Sequence, residues 1–562
     1  MTQTKLSVEA ATERLTAPGA PFERERVTIH GVEQWVFTHA PSSLREVLLA
    51  GAQHDDAEAV IYEDERWTHR DVRVAAAALA HQLGARFGVE KGDRVAIAMR
   101  NYPEWPPSFW AVVSSGALAV PLNAWWTADE LEYGLTHSGA KVLICDEERL
   151  ERLADRLDDL DVEVVCARAS SSLPDGVHDV RELVDAAPDG VGLPDVEIAP
   201  DDDATIMYTS GTTGRPKGAV ASHRAAITTL MNGGFYQARN ALLAGRDPDA
   251  PREEQPVQLV TFPFFHVAGL QSALIPATPG GVKMVLMYRW DPDKAAALVE
   301  REGVHAVSGV PTTLMTLLES PAAAEHDLST LGSFGAGGTA VPPELVRQVS
   351  GSFPAATMLN GYGLTETSSI ATVNSGPEYL ERPDSVGRPT PVNEVQIVDE
   401  YGAPVARGEI GEICIKGPNV IRGYWDNPEA TQAAFVDGWF RSGDLGYLDE
   451  DGYLYVVDRA KDIVIRGGEN VYCVEVEARL VEHPDVLEAA VIGVPHARLG
   501  EEVGAVVRVR AGSGVDADQL RAHVGETLAG FKVPAHLWIR EEELPKTATG
   551  KILKRELKKE LV

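Results

Sequence analysis

Between Tyr208 and Gly218 the chain reads YTSGTTGRPKG. Thr209, Ser210, Thr212 and Thr213 supply hydroxyls, Gly211 and Gly214 leave the backbone bare, and Lys217 adds a mobile positive charge. Amides uncovered by glycine form a nest for phosphate oxygens, which hydroxyl donors and an ammonium reinforce. The chemistry is binding of a triphosphate or pyrophosphate. The pattern is not the common P-loop, because Pro216 precedes Lys217 and Gly218 follows it, whereas that loop ends in Gly-Lys-Ser/Thr.

Three other stretches could act beside it. NGYGLTET gathers Asn360, Gly361, Tyr362, Gly363, Thr365 and Glu366 at what reads as the end of a strand. A carboxylate near a triphosphate serves mainly to hold Mg²⁺, a hard cation that takes oxygen ligands and few protein contacts, so Glu366 is the candidate ligand. Further on, Asp444 lies between glycines in SGDLG, and Arg459 follows the apolar run YLYVV. A carboxylate can accept both hydroxyls of a ribose, and a guanidinium pairs with phosphate oxygens; either residue alone would equally serve as a turn residue or surface charge. Finally, Lys551 sits behind a Thr549-Gly550 turn in PKTATGKILKREL, where Lys554, Lys558 and Lys559 read as a basic tail.

These residues need a scaffold of strands and turns. From about Leu44 to Ala199 apolar runs (RVAIAM, ALAVPL, KVLIC, EVVCA) alternate with helix-like stretches, the βαβ rhythm of a layered α/β domain with parallel strands. ATIMY predicts a buried strand before the phosphate loop, and Ser222 predicts the cap of a helix from His223, which makes that loop a strand-to-helix connection. A second α/β series follows, through VQLVTFPFF, GVKMVLM, HAVSGV, GSFGAGG and ATMLNGYG. After Gly387 close-set strands and turns indicate a small β-rich module, and past Lys461 about a hundred residues read as an α+β unit. The charged residues Asp458, Arg459 and Lys461 fall between two strands, where a core would not place them, and mark a link between a large domain (1–457) and a small one (462–562). The first forty or so residues form an extension to which no role is assigned.

Composition sets limits. At 562 residues, 44 % hydrophobic and 24 % charged, the chain calls for two to four domains. A net charge of −33 repels nucleic acid and anionic membranes on average, while a local positive cluster suffices for a nucleotide. Cys145, Cys166, Cys414 and Cys473 show no metal-ligand spacing, which fits core thiols in a reducing cytoplasm. The amino terminus MTQTKLSVEAATERL lacks the apolar segment of a secretory signal. FWAVVSSGALAVPLNAWW, residues 109–126, is uncharged and as long as a short membrane span. Ser114, Gly116 and Pro121 break it, so it is expected to be a buried helix, a turn and a buried strand, with no transmembrane segment.

Taken in order, the four motifs resemble the adenylate-forming superfamily of acyl-CoA synthetases, luciferases and adenylation domains, from about Leu44 onward. The resemblance implies a large multi-subdomain α/β domain, a small mobile α+β domain and an active site between them. It implies that Thr209 to Lys217 wrap pyrophosphate and that Gly335, Ala336 and Gly337 with Tyr362 frame adenine. Thr365 would contact the α-phosphate, Thr209 and Glu366 would face Mg²⁺, and Asp444 and Arg459 would hold the ribose. Lys551 would bridge carboxylate and phosphate, with Lys461 as the hinge. His266 in TFPFFHVAGL takes the position of the family's gate to the acyl pocket; a buried histidine satisfied by a backbone partner is the alternative.

The implied substrates are a carboxylic acid, ATP and CoA. Attack on the α-phosphate makes an acyl-adenylate, and the thiol of CoA then takes the acyl group. Eleven residues follow Lys551, which favours free CoA over a fused carrier; transfer to a separate carrier protein, or an inactive binding protein on this fold, are the alternatives. Apolar walls in TFPFFHVAGL, VSGVPTTLMTLL and GAGGTA point to a medium- or long-chain fatty acid, with an aromatic monoacid as the other option. Rotation about Lys461 would bring Gly467 and Gly468 of IRGGEN to the pantetheine arm. A homodimer is left open.

Overall fold

The uncharged stretch that tests for a membrane span lies in the core of a computed structural model, which describes residues 6–209 and 215–562. Helix Trp105–Ser114 carries Pro106 and Pro107 in its first turn, where no backbone N–H is needed, and every residue in it is buried. Strand Leu118–Pro121 follows a turn at Gly116 and is buried throughout. Among the described residues no helix is long and apolar enough to cross a membrane.

That strand belongs to an eight-stranded sheet in which Leu118–Pro121, Arg94–Ala98, Val142–Asp146 and Glu163–Ala167 run parallel, as the βαβ rhythm predicts. The crossover helices start on capping boxes. Thr68 and Asp71 open His69–Phe87, and Thr127 and Glu130 open Ala128–Ser138. A nine-stranded sheet carries the second series, with Val257–Val260, Ala306–Gly309, Ser333–Gly337 and Thr357–Tyr362 in parallel register. Trp105, Phe109 and Trp110 join Phe264, Leu270, Met284 and Leu286 in one apolar cluster, so the two sheets share a core. The carboxyl ends of the nine-stranded sheet's central strands carry GAGG and NGYG.

The β-rich module is a five-stranded antiparallel sheet built on Gly411–Lys416, Trp439–Leu448 and Leu454–Arg459. The small domain has its own core of Val464, Val471, Val476, Leu480, Val491, Val507, Leu520 and Val524, the mark of a unit that can move as a body. All four cysteines are buried and free of disulfides.

Two expectations change. Asp458 and Arg459 are the last residues of strand Leu454–Arg459, and Asp458 is 3 % exposed. A core does take this carboxylate, because it accepts hydrogen bonds from Arg459 N–H at 2.7 Å and from Cys473 N–H. Only from Ala460 does the link leave the sheet. The amino-terminal extension, for its part, is structured. Helix Val8–Thr16 buries Ala11 and Leu15 against Phe235, Tyr236 and Leu242, and Phe22 meets Phe235 edge-on at 5.7 Å. Glu9 pairs with Arg388 at the edge of the nine-stranded sheet at 3.2 Å and Arg26 with Glu394 of the β-rich module at 3.5 Å, so the extension straps helix His223–Leu243 to both.

Burial holds the His69 and His223 imidazoles neutral, each pushed down to about 4, and His223 Nδ1 accepts the Leu44 N–H at 3.1 Å. In the unfolded chain both protonate near 6.5, so their contribution to stability is complete above that pH and is lost as pH falls toward 4. The unfolding free energy from urea titrations should therefore drop between pH 7 and pH 5, by about 1.4 kcal/mol per pH unit for each histidine where only the unfolded form is protonated, and the urea midpoint should fall with it. His223→Gln should flatten the decline; an unchanged slope would show that His223 does not drive it.

Candidate active site

Thr209 ends strand Asp203–Thr209 and stands opposite Lys217, the first residue of the antiparallel strand Lys217–Ser222. The expected strand-to-helix loop is corrected here. Gly218, Ala219, Val220 and Ala221 are buried between Asp203–Thr209 and Gly423–Tyr424, and this burial draws a second strand out of sequence that reads as loop. Helix His223–Leu243 begins only afterwards, with Ser222 Oγ accepting the Ala225 N–H at 3.2 Å. Thr209 and Lys217 thus lie opposite each other on two paired strands, and Lys217 does not lead into a helix amino terminus. Ser210, Gly211, Thr212, Thr213 and Gly214 lie outside the described residues.

Lys217 Nζ sits over the Tyr424 ring, 5.0 Å from its centroid, and Tyr424 Oη donates to Glu366 Oε1 at 2.8 Å. Tyr424 thereby joins the phosphate-loop lysine to the candidate metal ligand, a role that the sequence reading missed. Its only sequence signal is the aromatic pair in RGYW beside Gly423. Burial pushes the Glu366 carboxyl up, and the Tyr424 hydrogen bond works against that. A half-buried carboxylate with one oxygen held by Tyr424 and the other left for a ligand fits Mg²⁺, which needs one or two carboxylates and otherwise binds water and phosphate oxygens.

The loop that carries Glu366 is fixed from several sides. Asn419, fully buried, donates to the carbonyls of Thr367 and Ile370 at 2.8 Å each; Thr229 Oγ1 donates to Ser368 O at 2.6 Å; and Ile421 N–H donates to Glu366 O at 2.9 Å. Thr365 opens the one-turn helix Thr365–Thr367. Gly335, Ala336 and Gly337 pair in parallel with Leu359, Asn360 and Gly361, so the two glycine-bearing strand ends lie side by side. A Cβ on Gly363 would fall 1.7 Å from Ser369 O, which explains why glycine stands there.

A second cluster forms at the seam between the domains. Tyr362 Oη donates to Asp444 Oδ2 at 2.8 Å, and Arg459 Nε lies 3.1 Å from Asp444 Oδ1. Both oxygens of this buried carboxylate are thus oriented, and each keeps a lone pair for a ligand. Lys551 enters from the small domain on a tight turn, where Thr547 N–H donates to Lys551 O at 2.8 Å and Gly550 takes φ of +83°. A Cβ on Gly550 would stand 3.0 Å from Val310 Cγ2 of the large domain. Burial, then the Arg459 guanidinium, draws the Lys551 ammonium down to about 8, against the pull of Asp444 and Asp462. His266 completes the cleft: burial and then Lys551 hold its imidazole neutral, down to about 4. Its Nδ1 accepts the Ala268 N–H at 3.3 Å and its ring stacks on Phe262, so it has a backbone partner and also faces the lysine.

The structure therefore brings together Lys217 with Glu366, through Tyr424, and Tyr362 with Asp444, Arg459, Lys551 and His266. Gly467 and Gly468 stand apart, exposed at the turn between Val464–Arg466 and Glu469–Val471, and Lys461 is exposed in the turn after Arg459.

Comparison with known proteins agrees with this architecture. Residues 49–425 match the family model of the AMP-binding enzyme and residues 475–551 that of the AMP-binding enzyme C-terminal domain. The chain belongs to the AMP-binding enzyme family. A feruloyl-CoA synthase from Amycolatopsis sp is 38 % identical over 503 residues, 90 % of this chain and 96 % of that protein. A long-chain-fatty-acid–CoA ligase of Bacillus subtilis is 32 % identical over 541 residues, covering 91 % and 93 %. Among solved structures, an anthranilate CoA ligase in complex with anthranoyl-AMP superposes with a TM-score of 0.84 at 27 % identity, over 92 % of this chain and 97 % of that one.

Tyr424→Phe keeps the ring under Lys217 and removes the donor to Glu366. One hydrogen bond to a charged group is worth about 1.5–3 kcal/mol, so the Mg²⁺ concentration for half-maximal activity should shift by about tenfold or more, with the ATP requirement changing less. An unchanged Mg²⁺ titration would detach Tyr424 from the site.

Proposed function

We propose that this protein joins a carboxylic acid to CoA in two half-reactions, acid and ATP giving acyl-adenylate and pyrophosphate, and acyl-adenylate and CoA giving acyl-CoA and AMP. The class follows from family membership: the chain is an AMP-forming acyl-CoA synthetase. The observation that carries the reading is Lys551, brought from the small domain into the field of Asp444, Arg459 and His266. In the first half-reaction two anions, the acid's carboxylate and the α-phosphate, approach each other. An ammonium between them offsets the charge that builds up, the term that dominates phosphoryl transfer. Asp444 and Arg459 would orient the nucleotide, with Tyr362 and the GAGG strand beside the base. Glu366 and Thr209 would hold Mg²⁺, which neutralises phosphate charge when bound. Lys217 would stay with the departing pyrophosphate.

Lys551 cannot fill the approach to the acyl carbon and leave it open to a thiol, so the small domain rotates between half-reactions about the link that ends at Lys461. That motion would carry the exposed Gly467 and Gly468 to the pantetheine arm.

For the acid, the buried apolar side chains Phe265, Val267, Leu270 and Val310 near His266 support a medium- or long-chain fatty acid. One observation favours a second reading, an aromatic acid with a polar substituent. Ser272 is exposed on an otherwise buried turn, and its hydroxyl meets that of Ser369, next to the Glu366 loop, at 2.8 Å. ATP–pyrophosphate exchange with acids of graded chain length and with hydroxylated cinnamic and benzoic acids tests both. Exchange that rises with chain length supports the first reading, and exchange confined to aromatic acids establishes the second. Thioester formation with free CoA separates a ligase from an enzyme that loads a carrier protein; adenylate that accumulates without thioester would overturn CoA as acceptor.

The lowered Lys551 also sets a pH dependence. Only the ammonium helps the first half-reaction, so its kcat/KM for ATP should fall as pH rises through about 8. Lys551→Arg should lower the rate but move that fall to much higher pH, because a guanidinium stays charged. A falling limb that stays in place in the arginine variant would assign it to another group.

A further inference from the structure

Helix Cys473–Val481 of the small domain begins without a cap of its own, since Tyr472 makes no side-chain hydrogen bond there. Its first N–H groups need acceptors. The Cys473 N–H is taken by Asp458 Oδ2, and Asp458 is not part of the small domain's core: it sits in strand Leu454–Arg459, paired with Leu445 of the β-rich module. Cys473, in contrast, is packed in the small-domain core and donates its thiol to Asp462 O at 2.9 Å. The hydrogen bond therefore spans the link. Its two ends are fixed to the two bodies, and Arg459 to Lys461 lie between them.

The same carboxylate is tied to the segment that carries Lys551. Lys554, one turn beyond Lys551, pairs with Glu477 of helix Cys473–Val481 at 2.7 Å, and its charge favours the Asp458 carboxylate, which burial alone disfavours. On the large-domain side Ala460 N–H donates to Gly443 O at 3.0 Å, beside Asp444. Rotation about the link would carry Cys473 away from Asp458 and break this bond, which in this structure accompanies Lys551 in the cleft.

The geometry points to Asp458 as a positioning residue, a latch that holds the small domain in the adenylate-forming arrangement by capping its helix from the other side of the hinge. This rests on the two-step reading of the function. Loss of the latch weakens the first half-reaction and leaves the second unharmed, because thioester formation requires the bond to open.

Single-turnover measurements of each half-reaction test it with Asp458→Asn, with Tyr472→Asp, which gives the helix an acidic cap of its own, and with both together. Adenylate formation should slow about tenfold in Asp458→Asn, the effect of one charge-assisted bond. Conversion of supplied acyl-adenylate and CoA should stay at the wild-type rate or rise. In the double variant thermal stability should recover while adenylation stays slow, because a local cap satisfies the helix but ties nothing across the hinge. Recovery of adenylation there would overturn the latch and leave Asp458 a helix cap only, and equal losses in both half-reactions would overturn it too. Hydrogen exchange of amides 459–473 needs no turnover: they should exchange faster in Asp458→Asn, and unchanged protection would again overturn the latch. Absence of ATP–pyrophosphate exchange in the wild type would instead count against the ligase reading, with the exchange of these amides still deciding the latch.

Discussion

Asp444 stands where the nucleotide motifs, the hinge and the small domain meet, and its two oxygens are shared between Tyr362 and Arg459. Arg459 and Lys551 repel each other across the cleft, and the Lys551 ammonium survives there through Asp444 and Asp462. A buried carboxylate with paired neighbours is costly to remove, because the partners are left as uncompensated charges. Asp444 thus does more than the proposed ribose contact would ask of it. It keeps two cations within reach of the position where phosphate charge would develop, and phosphates can then take over a balance that the protein has already struck.

The overall charge makes that local balance more demanding. With a net charge of −33 the average field opposes any polyanion. Lys217, Arg459 and Lys551 are three cations drawn from the hairpin, the last strand of the β-rich module and the small domain. No single element offers enough positive charge, and only the assembled arrangement brings two of the three to one carboxylate. On the proposed reaction, withdrawing the small domain would take Lys551 out of that set and weaken the hold on phosphate charge. The acidic average surface would then oppose a polyanion everywhere except where these cations are assembled.

Most of the scaffold was legible in the sequence because it rests on periodicity. The parallel strands, the capped helices and the independent small domain announce themselves through apolar runs and turn residues. What escaped depends on contacts between distant segments. Lys217–Ser222 is short, follows Pro216 and contains Gly218, and it becomes a strand because Asp203–Thr209 pairs with it on one side and Gly423–Tyr424 on the other. Tyr424 has no local signal for its bond to Glu366. Asp458 looks like a solvated linker charge until the helix at Cys473 is folded against it. The amino-terminal extension shows its purpose only through Phe235, Arg388 and Glu394.

The division of labour between the two domains follows from where strain is stored. Ser368 and Ser369 both adopt positive φ, at 48° and 93°, directly after the turn Thr365–Thr367 that carries Glu366. Such conformations cost about 1–3 kcal/mol each, and the two Asn419 hydrogen bonds, with that of Thr229, offset them. The loop bearing Thr365 and Glu366 is therefore held in a shape it would not keep alone, which would fix the proposed metal and phosphate contacts before any substrate arrives. Because that geometry belongs wholly to the large domain, the small domain would need to deliver only one charged side chain, Lys551, for the first half-reaction. A single lysine on a Thr-Gly turn is the smallest device that can be inserted for one half-reaction and withdrawn for the next without disturbing the rest of the site.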